Sequence, residues 1–365
     1  MAMRAGERGV LGGLRQAGRM LSREQRRNLN VGVLGCGRIG QVHLETLCYN
    51  VPNANPVMVM DAFESAAKKA VDKYPVKKYT LSDEELITSK DIDAVWICTP
   101  SQFHADQIKM AAANGKHIFC EKPIATDLKG TLEAVEYAKS KGVKLMTAFQ
   151  RRFDPTFQRL KKSVDSGDVG KPIFIKTTSR DPAPPPYDYV KGGGGLFKDM
   201  AIHDIDICRW LAGSEAEAVF VTGGQMVSDL KGLKGPEAID TALTLIKFKN
   251  GATGVIDNCR KAVYGYDQRV EVFGDEGMVA SENLFPNNVR TFNDKGVSTD
   301  LPHSFFMTRY MEAYKNETIA FAEAVAEDKP APATGEDGAE ALKIAMAAGK
   351  ALDEQRWVKL SEIAS

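Results

Sequence analysis

A lysine, an aspartate and a histidine stand where they could handle an oxygen atom and a proton. Lys122 lies in Glu121-Lys122-Pro123, directly after the apolar run 117–120. An ammonium there can hydrogen-bond a reacting hydroxyl or carbonyl oxygen and favour the alkoxide that develops as hydride leaves. Most lysines are solvated surface groups, but the place between a buried-looking strand and a proline favours a function. Asp199 and His203 are four residues apart, which on a helix sets them on one face. Histidine titrates near neutrality and can take the hydroxyl proton. Asp199 can orient the imidazole or bind a neighbouring hydroxyl. From the spacing alone, an ordinary helix with a solvated acidic face has about equal claim. The run Gly192 to Gly195 just before predicts a close-approach loop at the site. His43, His104, His117 and His303 have no such company and are read as structural. His203 with Asp204 and Asp206 could imitate a metal set, but adjacent acids diverge on a helix, and no metal is expected.

The second group of residues concerns a cofactor. Gly35-Cys36-Gly37-Arg38-Ile39-Gly40 follows an apolar run and opens a helical pattern. The first glycine permits a tight turn, the second lets the backbone approach a pyrophosphate, and the third lets helix and strand pack closely. Free N–H groups at the helix start then favour the anion. Asp61 ends the next apolar run, at the distance where a carboxylate binds ribose hydroxyls and repels a 2′-phosphate. It can also cap the helix that follows. NAD is expected rather than NADP, since no basic residue follows Asp61 until Lys68. Cys98-Thr99-Pro100 and Glu121-Lys122-Pro123 each end a strand, and ligands of open parallel sheets lie beyond such ends. The expected cofactor contacts are therefore Gly35, Gly37, Arg38, Ile39, Gly40, Asp61, Thr99, Pro100 and Glu121.

These groups need a scaffold. Short apolar runs at 31–34, 57–60, 94–98, 117–120 and 144–147 alternate with helical stretches at 39–49, 63–73, 103–114 and 128–140. That alternation predicts a doubly wound parallel sheet, a Rossmann α/β unit over 29–150. Beyond it the period changes. Strand patterns at 173–179, 241–249, 252–260, 268–274 and 278–282 predict an α+β unit over 151–365 with a large, mainly antiparallel open sheet. Asn250-Gly251 predicts a two-residue hairpin turn with both residues at positive φ. Residues 274–277 form another turn, and residues 182–186 a rigid loop. Helices at 310–327 and 338–355 close the chain, with Pro330 and Pro332 between them.

Bulk composition narrows the partners. Lys plus Arg and Asp plus Glu number 48 each, so the net charge is zero and no nucleic-acid partner is expected. No apolar run reaches a membrane span. None of the six cysteines is spaced C-x-x-C from another, and a reducing, cytoplasmic compartment fits. Residues 1–28 are basic and acid-poor, with seven arginines against Glu7 and Glu24. They read as a disordered extension, or alternatively as a mitochondrial transit segment.

Glycine loop, Glu121-Lys122-Pro123 and Asp199-x-x-x-His203 together resemble the Gfo/Idh/MocA family, that of glucose–fructose oxidoreductase and inositol dehydrogenase. The resemblance runs from Val31 to about Trp357. Within the family, Ser179-Arg180-Asp181-Pro182, Tyr189, residues 199–206, Asp257-Asn258-Cys259-Arg260 and Tyr264-Gly265-Tyr266-Asp267-Gln268 are similar to the inositol dehydrogenases. The resemblance implies oxidation of myo-inositol at C2 to the ketone with NAD reduced. It implies Lys122 on the reacting oxygen, His203 as base, Asp199 supporting both, and Arg151 and Tyr266 lining the polyol pocket. It also implies a homo-oligomer, a tetramer or dimer, packed through the second-unit sheets. Some inositol dehydrogenases carry histidine and asparagine where this chain has Ser179 and Asp181, so myo-, scyllo- and D-chiro-inositol stay open. A same-fold dehydrogenase of another sugar or a dihydrodiol is one alternative. A non-catalytic NAD-binding regulator is another, against which the presence of both Lys122 and His203 counts.

Overall fold

The computed structural model describes residues 29–364. The basic segment 1–28 lies outside the described residues.

Six strands form a wholly parallel sheet: β1 (Leu29–Leu34), β2 (Ala54–Met60), β3 (Lys78–Thr80), β4 (Ala94–Ile97), β5 (His117–Cys120) and β6 (Leu145–Thr147). Their order is β3-β2-β1-β4-β5-β6. Parallel neighbours need crossovers, here α1 (Arg38–Tyr49), α2 (Glu64–Lys73), α3 (Asp83–Thr88), α4 (His104–Ala113) and α5 (Leu128–Ser140). Helices on both faces bury the strands, and all four residues of β4 are buried. The strand order reverses between β1 and β4, which opens a crevice at their carboxyl ends. β3 and α3 extend the expected pattern. β3 is too short to show a period. α3 does carry a start signal, the S-x-x-E spacing from Ser82 to Glu85, and Ser82 Oγ accepts from Glu85 N at 3.3 Å.

The chain then enters α6 (Pro155–Asp165), whose start is fixed by Asp154 accepting from Thr156 N and Phe157 N. The second sheet comprises β7 (Pro172–Arg180), β8 (Ala216–Gly224), β9 (Thr241–Phe248), β10 (Thr253–Cys259), β11 (Asp267–Gly274) and β12 (Met278–Ser281). A separate hairpin, β13 (Arg290–Asn293) with β14 (Gly296–Thr299), follows, and β15 (Val358–Lys359) completes the sheet. The order is β12-β11-β7-β10-β9-β8-β15, antiparallel throughout except for the parallel pair β7 and β10. β8 opens on Ala-Glu-Ala, which lacks the β-branched signature of its neighbours. β9 alternates, with Ala242, Thr244, Ile246 and Phe248 inward and Leu243 and Lys247 outward.

The hairpin between β9 and β10 forms, but not with the expected turn. Only Gly251 has positive φ, at 92°, and Asn250 does not. Gly251 N bonds Phe248 O, Phe248 N bonds Ala252 O, and the Asn250 amide reaches Ala212 O. The loop is thus longer than two residues, and a single left-handed glycine meets the strand twist.

α7 (Tyr187–Gly193) precedes a π-helical turn, Phe197–Ala201, which runs straight into α8 (Ile202–Ala212). Gly195 has φ 78°, and a Cβ there would lie 2.7 Å from Pro236 O. Gly195 is therefore a close-approach position, but the approaching partner is the Pro236–Glu237 backbone and not the site. α9 (Phe306–Arg309), α10 (Met311–Ala326) and α11 (Gly335–Glu354) return the chain to the first sheet. There Thr147 N donates to Ala333 O, and Met146 bridges Thr334. One buried apolar cluster consequently runs from Val31 and Trp96 to Ile256, Phe321 and Val358, spanning both sheets.

Candidate active site

The crevice beyond β1 and β4 opens into a cavity of about 730 Å3. Its walls include Arg38 and Ile39 of the glycine loop, Thr99, Pro100, Glu121 and Lys122 at strand ends, and Asp199, His203, Arg151 and Tyr266 from the second half. Residues 182–186, the expected rigid loop, form a further wall.

The three loop glycines have separate physical reasons. Gly35 has φ 93°, and a Cβ there would meet Cys98 O at 2.6 Å. Gly40 has no room because a Cβ would lie 1.9 Å from Gly35 O, so the helix packs directly on the turn. At Gly37 a Cβ would meet nothing within 4 Å. That open backbone at the start of α1 is the space a pyrophosphate requires. The residues present therefore fit a dinucleotide. Asp61 braces the start of α2 and the glycine loop at once. Its Oδ1 accepts from Phe63 N at the start of α2, and its Oδ2 accepts from Cys36 N at 2.8 Å. The remaining lone pairs of this half-buried carboxylate are available to ribose hydroxyls.

The strand-end turns are tied together below the cavity. His104, buried, lies between Thr99 O at 2.7 Å and Pro123 O at 2.8 Å. His43, fully buried, sets Nε2 2.8 Å from Glu121 Oε1. Both histidines hold residues of the cavity wall, and His104 itself lines the cavity. The Thr99 hydroxyl is taken by Gln107 Oε1 at 2.6 Å.

Lys122 and Asp199 meet across the cavity. Lys122 Nζ donates to Asp199 O at 2.7 Å and to Asp199 Oδ1 at 3.2 Å. An ammonium has three donors, so one stays free. Arg260 Nη2 donates to Asp199 Oδ2 at 2.7 Å, and Tyr189 Oη donates to Asp199 Oδ1 at 3.0 Å. Burial would raise the Asp199 carboxyl, but Lys122 and Arg260 outweigh it and hold it down at about 2. His203, half-buried, makes no hydrogen bond to Asp199. The π-helical turn ends between the two residues, and Asp199 is committed to three other partners. The reading of Asp199 as the orienting partner of the imidazole thus gives way to one in which it anchors Lys122. The His203 Nδ1 atom is buried without a partner, which leaves Nε2 as the ring nitrogen toward the cavity. Burial, then the charges of Lys122 and Arg151, push the imidazole well below its usual range.

Arg151 and Tyr266 both line the cavity. Arg151 is held from behind by Asp204 Oδ1 at 2.8 Å and by Ser179 Oγ at 3.2 Å. Arg152 pairs with Asp206 at 2.6 Å. Asp204 and Asp206 are thus the buried counter-ions of two consecutive arginines. Asp337 at the start of α11 joins Arg152 and Arg209, fixing α8 against α11.

Arg260, Asp181 and Tyr189 join the site although their residue types and spacing assign them no part in its chemistry. Their membership in family-like stretches was the one signal available. Arg260 is 61 residues from Asp199, and no local period links them.

A parallel dinucleotide-binding sheet whose crevice carries a pinned ammonium, a neutral imidazole and an ionised carboxylate defines an NAD-dependent oxidoreductase. Residues 29–149 match the oxidoreductase family with an NAD-binding Rossmann fold, and residues 157–280 match the GFO/IDH/MocA C-terminal domain. The chain belongs to the GFO/IDH/MocA family. It is 43% identical over 321 residues to an uncharacterized oxidoreductase of Bacillus subtilis, covering 88% of this chain and 93% of that protein. It is 40% identical over 335 residues to the myo-inositol 2-dehydrogenase of Thermotoga maritima, covering 92% and 99%. Among solved structures it is similar to scyllo-inositol dehydrogenase from Lactobacillus casei with bound NAD(H) and scyllo-inositol. The TM-score there is 0.85 at 28% identity, covering 92% of this chain and 100% of that one.

Proposed function

We propose that the protein oxidises a ring CH–OH of an inositol with NAD, with myo-inositol to 2-keto-myo-inositol as the leading reaction. One observation carries the reading: a single cavity is lined at one end by the glycine loop and at the other by Lys122, Asp199 and His203. The names of two similar proteins supply the substrate class.

Gly37, Arg38 and Ile39 would hold the pyrophosphate of NAD at the start of α1, with Gly35 and Gly40 shaping the turn that presents them. Asp61 would take the ribose hydroxyls, and Thr99, Pro100 and Glu121 would border the cofactor. When bound, NAD supplies the hydride acceptor. The free donor of Lys122 holds the reacting hydroxyl oxygen and stabilises it as charge develops. His203 Nε2 takes the hydroxyl proton, a role for which a neutral imidazole is required. Asp199 keeps Lys122 in place through two hydrogen bonds. Arg151 and Tyr266 bound the polyol. Residues 29–150 act as the cofactor unit and 151–365 as the substrate and oligomerisation unit.

The assembly is a tetramer or dimer packed through the outer face of the seven-stranded sheet. That face exposes the stacked pair Phe174 and Phe273 together with Leu243 and Met278. A cytoplasmic location is supported by six free cysteines, four of them buried. A mitochondrial location remains the alternative carried by the Arg-rich first 28 residues.

The test is NADH formation, followed by absorbance, with NAD and a panel of myo-, scyllo- and D-chiro-inositol, D-glucose and D-xylose. Turnover of an inositol is expected and names the isomer. Turnover of a sugar alone replaces the substrate. Silence across the panel with NAD still bound favours a dihydrodiol dehydrogenase or a regulator.

A further inference from the structure

We infer that Arg260 is a positioning residue for the reaction: a guanidinium that holds Asp199 Oδ2 and so keeps Oδ1 aimed at the Lys122 ammonium. The inference rests on the assignment of Lys122 and Asp199 to the chemistry.

Four charged groups alternate in sign across the cavity wall. Asp181 Oδ2 accepts from Arg260 Nη1 at 3.0 Å, Arg260 Nη2 donates to Asp199 Oδ2 at 2.7 Å, and Asp199 Oδ1 faces Lys122 Nζ at 3.2 Å. They come from the ends of β7 and β10, the π-helical turn and the end of β5. The Arg260 side chain is only 8% exposed. A buried arginine needs its charge compensated, and a planar fork shared between two carboxylates fixes both in orientation. Arg260 is in turn anchored through its backbone, with Arg260 N bonding Asp240 O at 2.8 Å.

The consequence falls on Lys122. Each Asp199 oxygen has a cation against it, so the carboxylate cannot rotate without losing one. With Oδ2 released by loss of Arg260, the carboxylate could swing towards Lys122 and take its free donor from the substrate oxygen. The titratable and charged groups facing Asp199 are Lys122, Arg260 and Tyr189, with Asp181 behind Arg260. His203 makes no bond to it, and Lys198 turns away to Thr126 O at 3.1 Å. Removing Arg260 therefore removes one of two cations and leaves Asp181 as an uncompensated like charge. Both changes raise the Asp199 carboxyl, so it protonates at higher pH.

The experiment compares wild type, Arg260→Gln, Arg260→Lys and Asp181→Asn, each as the full chain. The Asp199 carboxyl is titrated by carbon NMR in protein labelled at aspartate carboxyls, with Asp199→Asn locating the signal. NAD binding is measured by calorimetry, and kcat is measured separately. In Arg260→Gln the midpoint should rise by about one pH unit or more. Its kcat should fall about ten- to a hundred-fold, with the affinity for NAD unchanged. Arg260→Lys should recover part of both. Asp181→Asn removes the competing carboxylate and should leave the midpoint level or lower it, which serves as the test if Arg260→Gln does not fold. An unmoved midpoint in Arg260→Gln, or a raised one in Asp181→Asn, overturns the inference. A wild type inactive on every polyol sinks the functional reading, while the titration still reports on the clamp.

Discussion

In the proposed reaction Lys122, Asp199 and His203 differ in role because their environments differ. Two cations hold Asp199 ionised, whereas burial beside cations keeps His203 neutral. The direction for His203 sets a pH dependence. A folded-state value depressed below the ordinary histidine value of about 6.5 means that the unprotonated base is present at neutrality and persists as pH falls through 6. The acid limb of kcat/KM for polyol oxidation should therefore lie well below pH 6.5. It should be measured in constant-ionic-strength buffers with NAD saturating. A limb at or above pH 6.5 would remove His203 as the base. The same sign applies to stability. The unfolded chain binds a proton at this histidine before the folded chain does, so its contribution is full above about pH 6.5 and declines on acidification.

At the scale of elements, the turn from β1 into α1 separates folding from binding within six residues. The Gly40 position is closed by backbone at 1.9 Å, whereas Gly37 is open. Gly40→Ala must push α1 off the turn and should lower the melting temperature by several degrees, as expected for a strain of about 1–3 kcal/mol. Gly37→Ala meets nothing in the protein and should leave the melting temperature within a degree or so. Its methyl group would occupy the space of a close-approaching phosphate, so NAD binding should weaken by about tenfold or more. Thermal unfolding and calorimetric NAD titration on the two variants check both halves. Equal effects of both on stability, or unimpaired NAD binding by Gly37→Ala, would show that the loop does not receive the cofactor. The π-helical turn before α8 is the other element with a direct consequence. It reorients the chain between Asp199 and His203, as such turns often do at functional sites.

For the whole molecule, the seven-stranded sheet is covered on one face by α8 and α11 and open on the other. Phe174 and Phe273 pair in register on that open face, at 47% and 43% exposure. The β13–β14 hairpin is exposed along both strands, and an isolated hairpin is marginal in water. The proposed assembly would lay a second copy on the surface of Phe174 and Phe273 and cover it. Light scattering should give a mass of two or four times the 39.9 kDa chain. Phe273→Glu, which places a charge at the centre of the stacked pair, should shift that mass down. A native species at the single-chain mass would refute packing through this face.

The local part of this protein was legible because its signals are local. The glycine loop, Asp61 at the end of the next strand and the strand–helix alternation are fixed by spacing of a few residues, and a backbone turn needs nothing distant to be recognised. The Rossmann sheet and the antiparallel character of the second sheet followed from those periods. The short β3, the weakly patterned β8 and the turn at Asn250-Gly251 escaped them. In each case tertiary pairing decided against a faint or misleading local preference. The site was legible only in part for the same reason. Lys122, Asp199 and His203 could be named from residue type and motif, yet not what each one touches. The tertiary structure alone brings Arg260 and Tyr189 onto Asp199 and turns Asp204 and Asp206 into counter-ions for Arg151 and Arg152. Electrostatics act through space between groups that chain order leaves far apart, so the charge state of the site was decided by the fold.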